Sequence, residues 1–159
     1  MIKPIIICFG NILYGDDGIG EIVLEKLRES EVIDNDDIIF AGNDGLLLLK
    51  VLEENRPVII VDAVRAGSKP GTIHRFNLSK RSKLSLIENH FTTHSFGLSE
   101  IIELTNDFTD ISEIIVLGIE PGDTTPGREM TDEVKNKLDE LVKLVVKEYN
   151  IYEEENINY

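Results

Sequence analysis

Residues 4–20, PIIICFGNILYGDDGIG, decide the fold, because an apolar run leads there into a glycine-rich loop. The run PIIICF shows no polar alternation, which predicts a strand covered on both faces of its sheet. Apolar residues then recur at helical spacing and predict a helix over about residues 19–29. Strand, turn and helix in this order are typical of the first unit of an α/β domain.

The alternation of strand and helix continues along the chain. Four more segments have the composition of strands, the third as an edge or antiparallel strand: Ile38–Ala41, Pro57–Asp62, Thr72–Phe76 and Glu113–Gly118. Three more have helical spacing: Gly45–Asn55, Ser95–Thr105 and a long segment from Thr131, its N-cap, through Val145. Buried strands in β-α-β order predict a three-layer α/β/α sandwich with a mostly parallel, twisted sheet of about five strands.

Length and charge limit the domain organisation and the partners. The 159 residues predict a single domain over residues 1–147 and a frayed, acidic C-terminal tail over residues 148–159. Sixteen Lys and Arg against 30 Asp and Glu give a net charge of −14. This charge argues against binding to nucleic acid or to an anionic membrane surface. It favours a protein partner with basic residues, or it simply keeps the protein in solution. We expect a monomer.

Cysteine content and hydropathy indicate the compartment. Cys8 is the single cysteine and has no partner for an internal disulfide, which is typical of proteins in a reducing compartment. No apolar run approaches the roughly 18–20 residues of a membrane-spanning helix. The first residues also lack the features of a signal peptide. We therefore expect a cytoplasmic protein.

The glycine-rich loop matches neither of the common nucleotide-binding fingerprints. A dinucleotide site needs Gly-x-Gly-x-x-Gly, and the residues around Gly10 break that spacing. Gly10 and Gly15 have the spacing of a P-loop, but Asp16 and Asp17 stand where a lysine and a hydroxyl are needed. Two carboxylates would repel a phosphate, so the loop favours a cation or a group that carries one.

Two acids stand where a parallel sheet binds its ligands, beyond the carboxyl ends of its strands. Asp17 follows the first predicted strand and Asp62 ends the third. Either acid could instead cap a helix or a turn, and Asp16 competes with Asp17 for the cap of the helix near Ile19. One of these neighbours could cap the helix while the other points into the site.

The three histidines differ in their surroundings. His90 and His94 are four residues apart, a spacing that would place both on one face of a helix, although Thr92 and Thr93 argue against a regular helix. His74 is expected at the surface. Two carboxylates and one imidazole suit a divalent transition metal such as nickel, zinc, copper or iron, and spacing alone does not select among them.

Four sequence blocks resemble the [NiFe]-hydrogenase maturation endopeptidases, and the similarity spans most of residues 4–146. The blocks occur in the order and at the approximate intervals of that family. They are Gly10–Gly20, Ile59–Ala63, Thr92–Leu98 and Leu117–Pro121.

The resemblance implies a function and a set of site residues. Members of the family remove a short C-terminal extension from the hydrogenase large-subunit precursor after nickel insertion. By position, the proposed nickel-sensing and catalytic residues fall on Asp17, Asp62 and His94, and the nickel arrives with the substrate. Many members have an Asp-Gly-Gly-Thr-x-Gly segment where this chain has Ala41–Gly45, a departure that concerns the local loop only.

The expected enzyme is a hydrolase, an endopeptidase of either aspartic or nickel-dependent type. Nickel could activate the attacking water, or a carboxylate could act as general base. An aspartic mechanism would require paired carboxylates that share one proton. The alternatives are a free-standing divalent-metal peptidase and a non-catalytic nickel-binding chaperone.

Overall fold

The computed structural model describes residues 3–78, 92–93 and 113–157. The strands of this part are β1 (Ile5–Phe9), β2 (Ile38–Gly42), β3 (Val58–Arg65), β4 (Ile73–Asn77), β5 (Thr92–Thr93) and β6 (Ile114–Ile119). Its α-helices are α1 (Ile19–Ser30), α2 (Leu46–Leu52), α3 (Asp132–Lys135) and α4 (Leu138–Ile157). Short 3-10 segments span Ile12–Gly18 and Asn35–Asp37. The helix predicted over Ser95–Thr105 lies outside the described residues.

Five strands form the main sheet in the order β2-β1-β3-β6-β4. Strand β1 pairs in parallel with β2 and β3, and β3 pairs in parallel with β6. Strand β4 is antiparallel to β6 and lies at one end of this order. The mostly parallel sheet predicted from the uninterrupted apolar runs is therefore confirmed, as is the edge or antiparallel strand predicted near residues 72–76.

A hydrophobic core lies on each face of the sheet, and alternate residues of β1 contribute to different cores. Ile6 and Cys8 pack with α1 and α4, whereas Ile7 and Phe9 pack with α2. Because side chains alternate across a strand, each apolar strand supplies both cores at once. Two helical layers thus enclose the sheet, as the three-layer prediction required.

Strand β3 is longer than predicted. The prediction ended it at Asp62, but the strand continues to Arg65. Ala63 and Val64 are buried and extend the pairing, Ala63 with β6 and Val64 with the antiparallel β5. Asp62 therefore lies inside a strand, one residue beyond Val61, which is the last β3 residue paired with β1.

The C-terminal helix also differs from the prediction. The segment predicted as one helix from Thr131 is interrupted at residues 136–137, between α3 and α4. Helix α4 then continues to Ile157, where a frayed tail was expected from residue 148. Tyr149 anchors the start of this extension, because its ring is buried and its hydroxyl donates to Asp37 Oδ2 over 2.6 Å.

Asp37 joins the amino ends of three strands to α4. Its Oδ1 accepts a hydrogen bond from Arg56 Nη2 at 2.6 Å, while its Oδ2 accepts from Tyr149. Arg56 Nε also donates to the Lys3 carbonyl at 2.8 Å. Asp37 directly precedes β2, and Lys3 and Arg56 lie two residues before β1 and β3. The cluster therefore fixes the edge of the sheet opposite to the glycine loop.

Two glycines allow the start of α1 to lie directly against the end of β1. Gly10 has φ +130°, and a Cβ there would lie 2.1 Å from the Asp17 carbonyl oxygen. A Cβ on Gly20 would lie 1.9 Å from the Phe9 carbonyl oxygen. Both contacts are too short for any side chain, so these glycines set how closely the loop and helix approach the strand.

The strand order reverses between β1 and β3. The chain passes from β1 to β2 on one side of β1, whereas β3 and β6 lie on its other side. Loops that leave neighbouring strands in opposite directions open a crevice, where sheets of this kind bind their ligands. The glycine loop follows β1 and Asp62 lies in β3, so both flank this crevice.

No helix in the described part of the chain combines the length and apolar character needed to cross a membrane.

The substitution Tyr149→Phe should lower the free energy of unfolding by about 1–3 kcal/mol, because it removes a donor from the buried Asp37 carboxylate. Urea denaturation followed by circular dichroism would measure the change. The matched control is Tyr14→Phe, at a side chain 38% exposed, which should change stability by less than about 0.5 kcal/mol. Equal stability of the two variants would show that the Asp37 contact does not hold α4 in place.

Candidate functional site

Asp17 is wholly buried in the 3-10 segment that follows β1. The backbone N–H of Asn11 donates to Asp17 Oδ2 at 3.1 Å, so the carboxylate is held against the start of its own loop. The alternative role of helix cap is wrong for both acids. Gly18 is the N-cap residue of α1 and makes no side-chain capping bond, and neither Asp16 nor Asp17 occupies that position.

Asp62 is wholly buried in β3, paired with Gly118 of β6. Its Oδ1 accepts a hydrogen bond from the Ala63 N–H at 2.8 Å. Burial raises the pKa of the Cys8 thiol well above its usual range, and the nearby charge of Asp62 raises it further. Asp62 is therefore close enough to β1 for its charge to act on Cys8.

The structure brings the segments of the two predicted acids together. The 3-10 segment with Asp17 lies against β3, the strand that contains Asp62. His94, the third predicted residue, and His90 lie outside the described residues. Thr93, which directly precedes His94 in the sequence, pairs with Val64, two residues beyond Asp62. Within the described residues, no three His, Cys, Asp or Glu side chains form a group that could hold a metal ion.

Asp16 fastens the glycine loop to the segment that precedes α3. Its wholly buried carboxylate accepts hydrogen bonds from Gly122 N, Asp123 N and Thr131 N at 2.8, 2.9 and 2.7 Å. The Thr131 hydroxyl donates to the same carboxylate at 2.9 Å. Thr131 is the N-cap residue of α3, as predicted, but its hydroxyl binds Asp16 and makes no capping bond. Asp16 and Asp17 thus have different partners, although they are adjacent in the sequence.

Glu120 is a functional candidate that the sequence analysis missed. Its buried carboxylate follows β6 and accepts hydrogen bonds from Ala66 N at 2.9 Å and Ser68 N at 2.8 Å. Glu120 therefore orders the loop that follows β3, the strand that contains Asp62. Its position directly after a buried strand is the same signal that selected Asp62, but its partners are more than 50 residues away.

His74 is not at the surface, contrary to the prediction. Its side chain is 11% exposed, and its Nε2 lies 3.4 Å from Glu120 Oε2. The imidazole also stacks on Phe76, with ring centroids 5.7 Å apart. The antiparallel pairing of β4 with β6 brings His74 opposite Gly118, close to the end of β6. A short strand of mixed composition gave no sign of this burial.

The rim of the crevice is therefore ordered by buried acids. Asp16 and Glu120 accept backbone N–H groups from neighbouring loops, and Arg65 Nη2 donates to Thr124 Oγ1 at 2.8 Å between two of those loops. Asp17 and Asp62 add two further buried carboxylates at the same edge. Carboxylates of this kind can bind a divalent cation or accept a proton from water.

Comparisons with known proteins agree with one another. The family profile described as HycI hydrogenase maturation protease matches residues 22–148. This range contains Asp62 and His94 and begins after Asp17. The hydrogenase 3 maturation protease of Escherichia coli is 29% identical over 140 residues, which cover 85% of this chain and 83% of that protein.

Solved structures extend the likeness to the fold. A [NiFe] hydrogenase maturation protease HybD from Thermococcus kodakarensis superposes with a TM-score of 0.74 at 23% identity, covering 93% of this chain and 99% of the other. The HycI protease from the same organism has a TM-score of 0.66 at 25% identity, covering 92% and 91%. The profile match spans well over half of the chain and carries the assignment, and the sheet described above agrees with it. The chain therefore belongs to the hydrogenase maturation protease family.

Proposed function

We propose that this protein is an endopeptidase that removes the C-terminal extension of a [NiFe]-hydrogenase large-subunit precursor after nickel insertion. As a member of the family, the chain is a peptidase of the hydrolase class that processes a hydrogenase precursor. The observation that carries the finer proposal is the pair of wholly buried carboxylates, Asp17 and Asp62, at the reversal point of the sheet. We expect the enzyme to act in the cytoplasm as a monomer.

The nickel is part of the substrate in this proposal. Asp17, Asp62 and His94 would occupy the coordination positions that the precursor leaves open on the metal. An oxygen and nitrogen donor set of this kind suits nickel, although it does not exclude other divalent ions. Binding would then depend on a loaded precursor, so that a precursor without nickel would stay uncut.

Cleavage requires an activated water and stabilisation of the oxyanion that forms at the scissile carbonyl. Nickel held by the precursor would polarise that carbonyl or lower the pKa of a bound water. In the other route, one of the two carboxylates accepts the proton of the water, and nickel only orients the chain. The ordered rim supports either route, because Asp16 and Glu120 hold the neighbouring loops in position.

Nickel-loaded precursor should be shortened, and nickel-free precursor should not. Both forms would be incubated with the protein, and the products weighed by mass spectrometry. Cleavage of unrelated peptides in the presence of added metal would instead identify a free-standing metallopeptidase. Nickel binding without shortening of the precursor would identify a chaperone. Either result would overturn the proposed function.

Substitution of any proposed nickel-binding residue should abolish processing. Asp17→Asn, Asp62→Asn and His94→Gln should each slow cleavage of the nickel-loaded precursor by more than about 100-fold. Even the loss of a residue that hydrogen-bonds to a metal ligand lowers activity by about 10–100-fold. Thermal unfolding of each variant would confirm that the fold survives. Processing at the wild-type rate by all three variants would remove these residues from the site.

Asp16→Asn should affect stability more than the chemistry. An amide in place of the carboxylate would turn a donor toward Thr131 N–H or lose the bonds at the other oxygen, which should cost about 1–3 kcal/mol of unfolding free energy. Thr131→Ser keeps the hydroxyl that binds Asp16 and is the matched control. Loss of processing by Asp16→Asn at unchanged stability would place Asp16 in the site and contradict its structural role.

A further inference from the structure

Three consecutive apolar side chains project from the loop that leads to Asp17. Leu13 is 69% exposed, Ile12 is 46% exposed and Tyr14 is 38% exposed. Single exposed apolar residues are common on protein surfaces, but a contiguous group indicates an interaction site. The residues that follow them, Gly15 to Gly20, are all buried, so the exposed group lies directly beside the ordered part of the loop.

The backbone of this exposed group is fixed by hydrogen bonds. The Leu13 N–H donates to Asn11 Oδ1 at 2.9 Å, and the Leu13 carbonyl accepts from Gly127 N at 2.8 Å. The Ile12 N–H donates to Glu21 Oε2 at 3.1 Å. The apolar side chains are thus held outward on an ordered backbone. The loop itself would lose little conformational entropy when a partner binds.

A surface cleft of about 310 Å³ lies between this loop and β2. Ile12 and Leu13 line one side, and Phe40 of β2, itself 39% exposed, lines the other. A cleft of this volume is at the lower limit for ligand pockets and accommodates one or two side chains of a polypeptide. Because Ile12, Leu13 and Phe40 supply the apolar part of its wall, the cleft favours an apolar side chain there.

The position and charge of the cleft identify its occupant. Asn11 lines the cleft, and its N–H donates to the carboxylate of Asp17, so the cleft lies one residue's contact away from the proposed cleavage site. A polypeptide bound there would have its neighbouring residues at Asp17. Glu21 is the one described charged residue in the lining, and the whole chain carries a net charge of −14. Both features favour a basic residue beside the apolar one.

We propose that the cleft between Leu13 and Phe40 binds the hydrogenase precursor next to its cleavage site, through an apolar side chain flanked by a basic residue. Leu13 and Phe40 would then determine substrate specificity. This inference rests on the proposed function, because the occupant is the substrate of that reaction.

Leu13→Ser and Phe40→Ser should each raise KM for the nickel-loaded precursor by roughly tenfold or more, with kcat nearly unchanged, as expected for loss of an apolar anchor. Val32→Ser is the matched control, because Val32 is 58% exposed and lies outside the cleft. Its KM should equal that of the wild type. Thermal unfolding midpoints of all three variants should stay close to the wild type, since the replaced side chains are exposed.

The charge of the cleft is tested separately with Glu21→Gln, which keeps an oxygen acceptor for the Ile12 N–H. This variant should raise KM. The KM should also depend less on salt concentration, because the charge whose attraction salt screens has been removed. Wild-type KM in Leu13→Ser and Phe40→Ser, with normal processing by the unmodified enzyme, would overturn the cleft assignment and leave the proposed function intact. Failure of the unmodified enzyme to process the loaded precursor would overturn the proposed function itself.

Discussion

The Asp16 carboxylate is the contact on which the ordered rim of this protein depends. Four donors from residues 122–131 converge on one buried side chain, and together they join the loop after β1 to the loop after β6. A buried carboxylate is costly unless its oxygens accept hydrogen bonds, and here backbone N–H groups supply most of them. The next residue, Asp17, lies in the same loop, where the Asn11 N–H donates to its carboxylate.

The two edges of the sheet use buried acids differently. At the amino edge, Asp37 is neutralised by Arg56 and bonded to Tyr149, an arrangement that stabilises the fold. At the carboxyl edge, the carboxylates of Asp16 and Glu120 mainly accept backbone N–H groups, and Glu120 also lies 3.4 Å from His74 Nε2. Four buried carboxylates therefore lie at the edge that contains Asp17 and Asp62, an arrangement that would favour a cation arriving with a substrate.

The parts predicted from the sequence are those that depend on local pattern. The apolar runs of β1, β3 and β6 indicated a buried parallel sheet, and the acids that follow or interrupt them indicated its functional edge. The extension of β3 to Arg65 depends on pairing with Thr92–Thr93, about 28 residues away, which no local pattern records. The burial of His74 beside Glu120 and the anchoring of α4 at Tyr149 likewise depend on contacts distant in sequence. Local propensity could not predict contacts of this kind.

The glycines at positions 10 and 20 have a consequence for redesign of this scaffold. They press the loop and the first helical turn onto the backbone of β1, leaving no room for a single added carbon atom at either point. The residues between them therefore form a loop of fixed length. Its exposed side chains can be exchanged to alter substrate preference, whereas an insertion would separate the helix from the sheet. A new specificity should therefore be introduced by substituting exposed side chains of the loop while its length is kept constant.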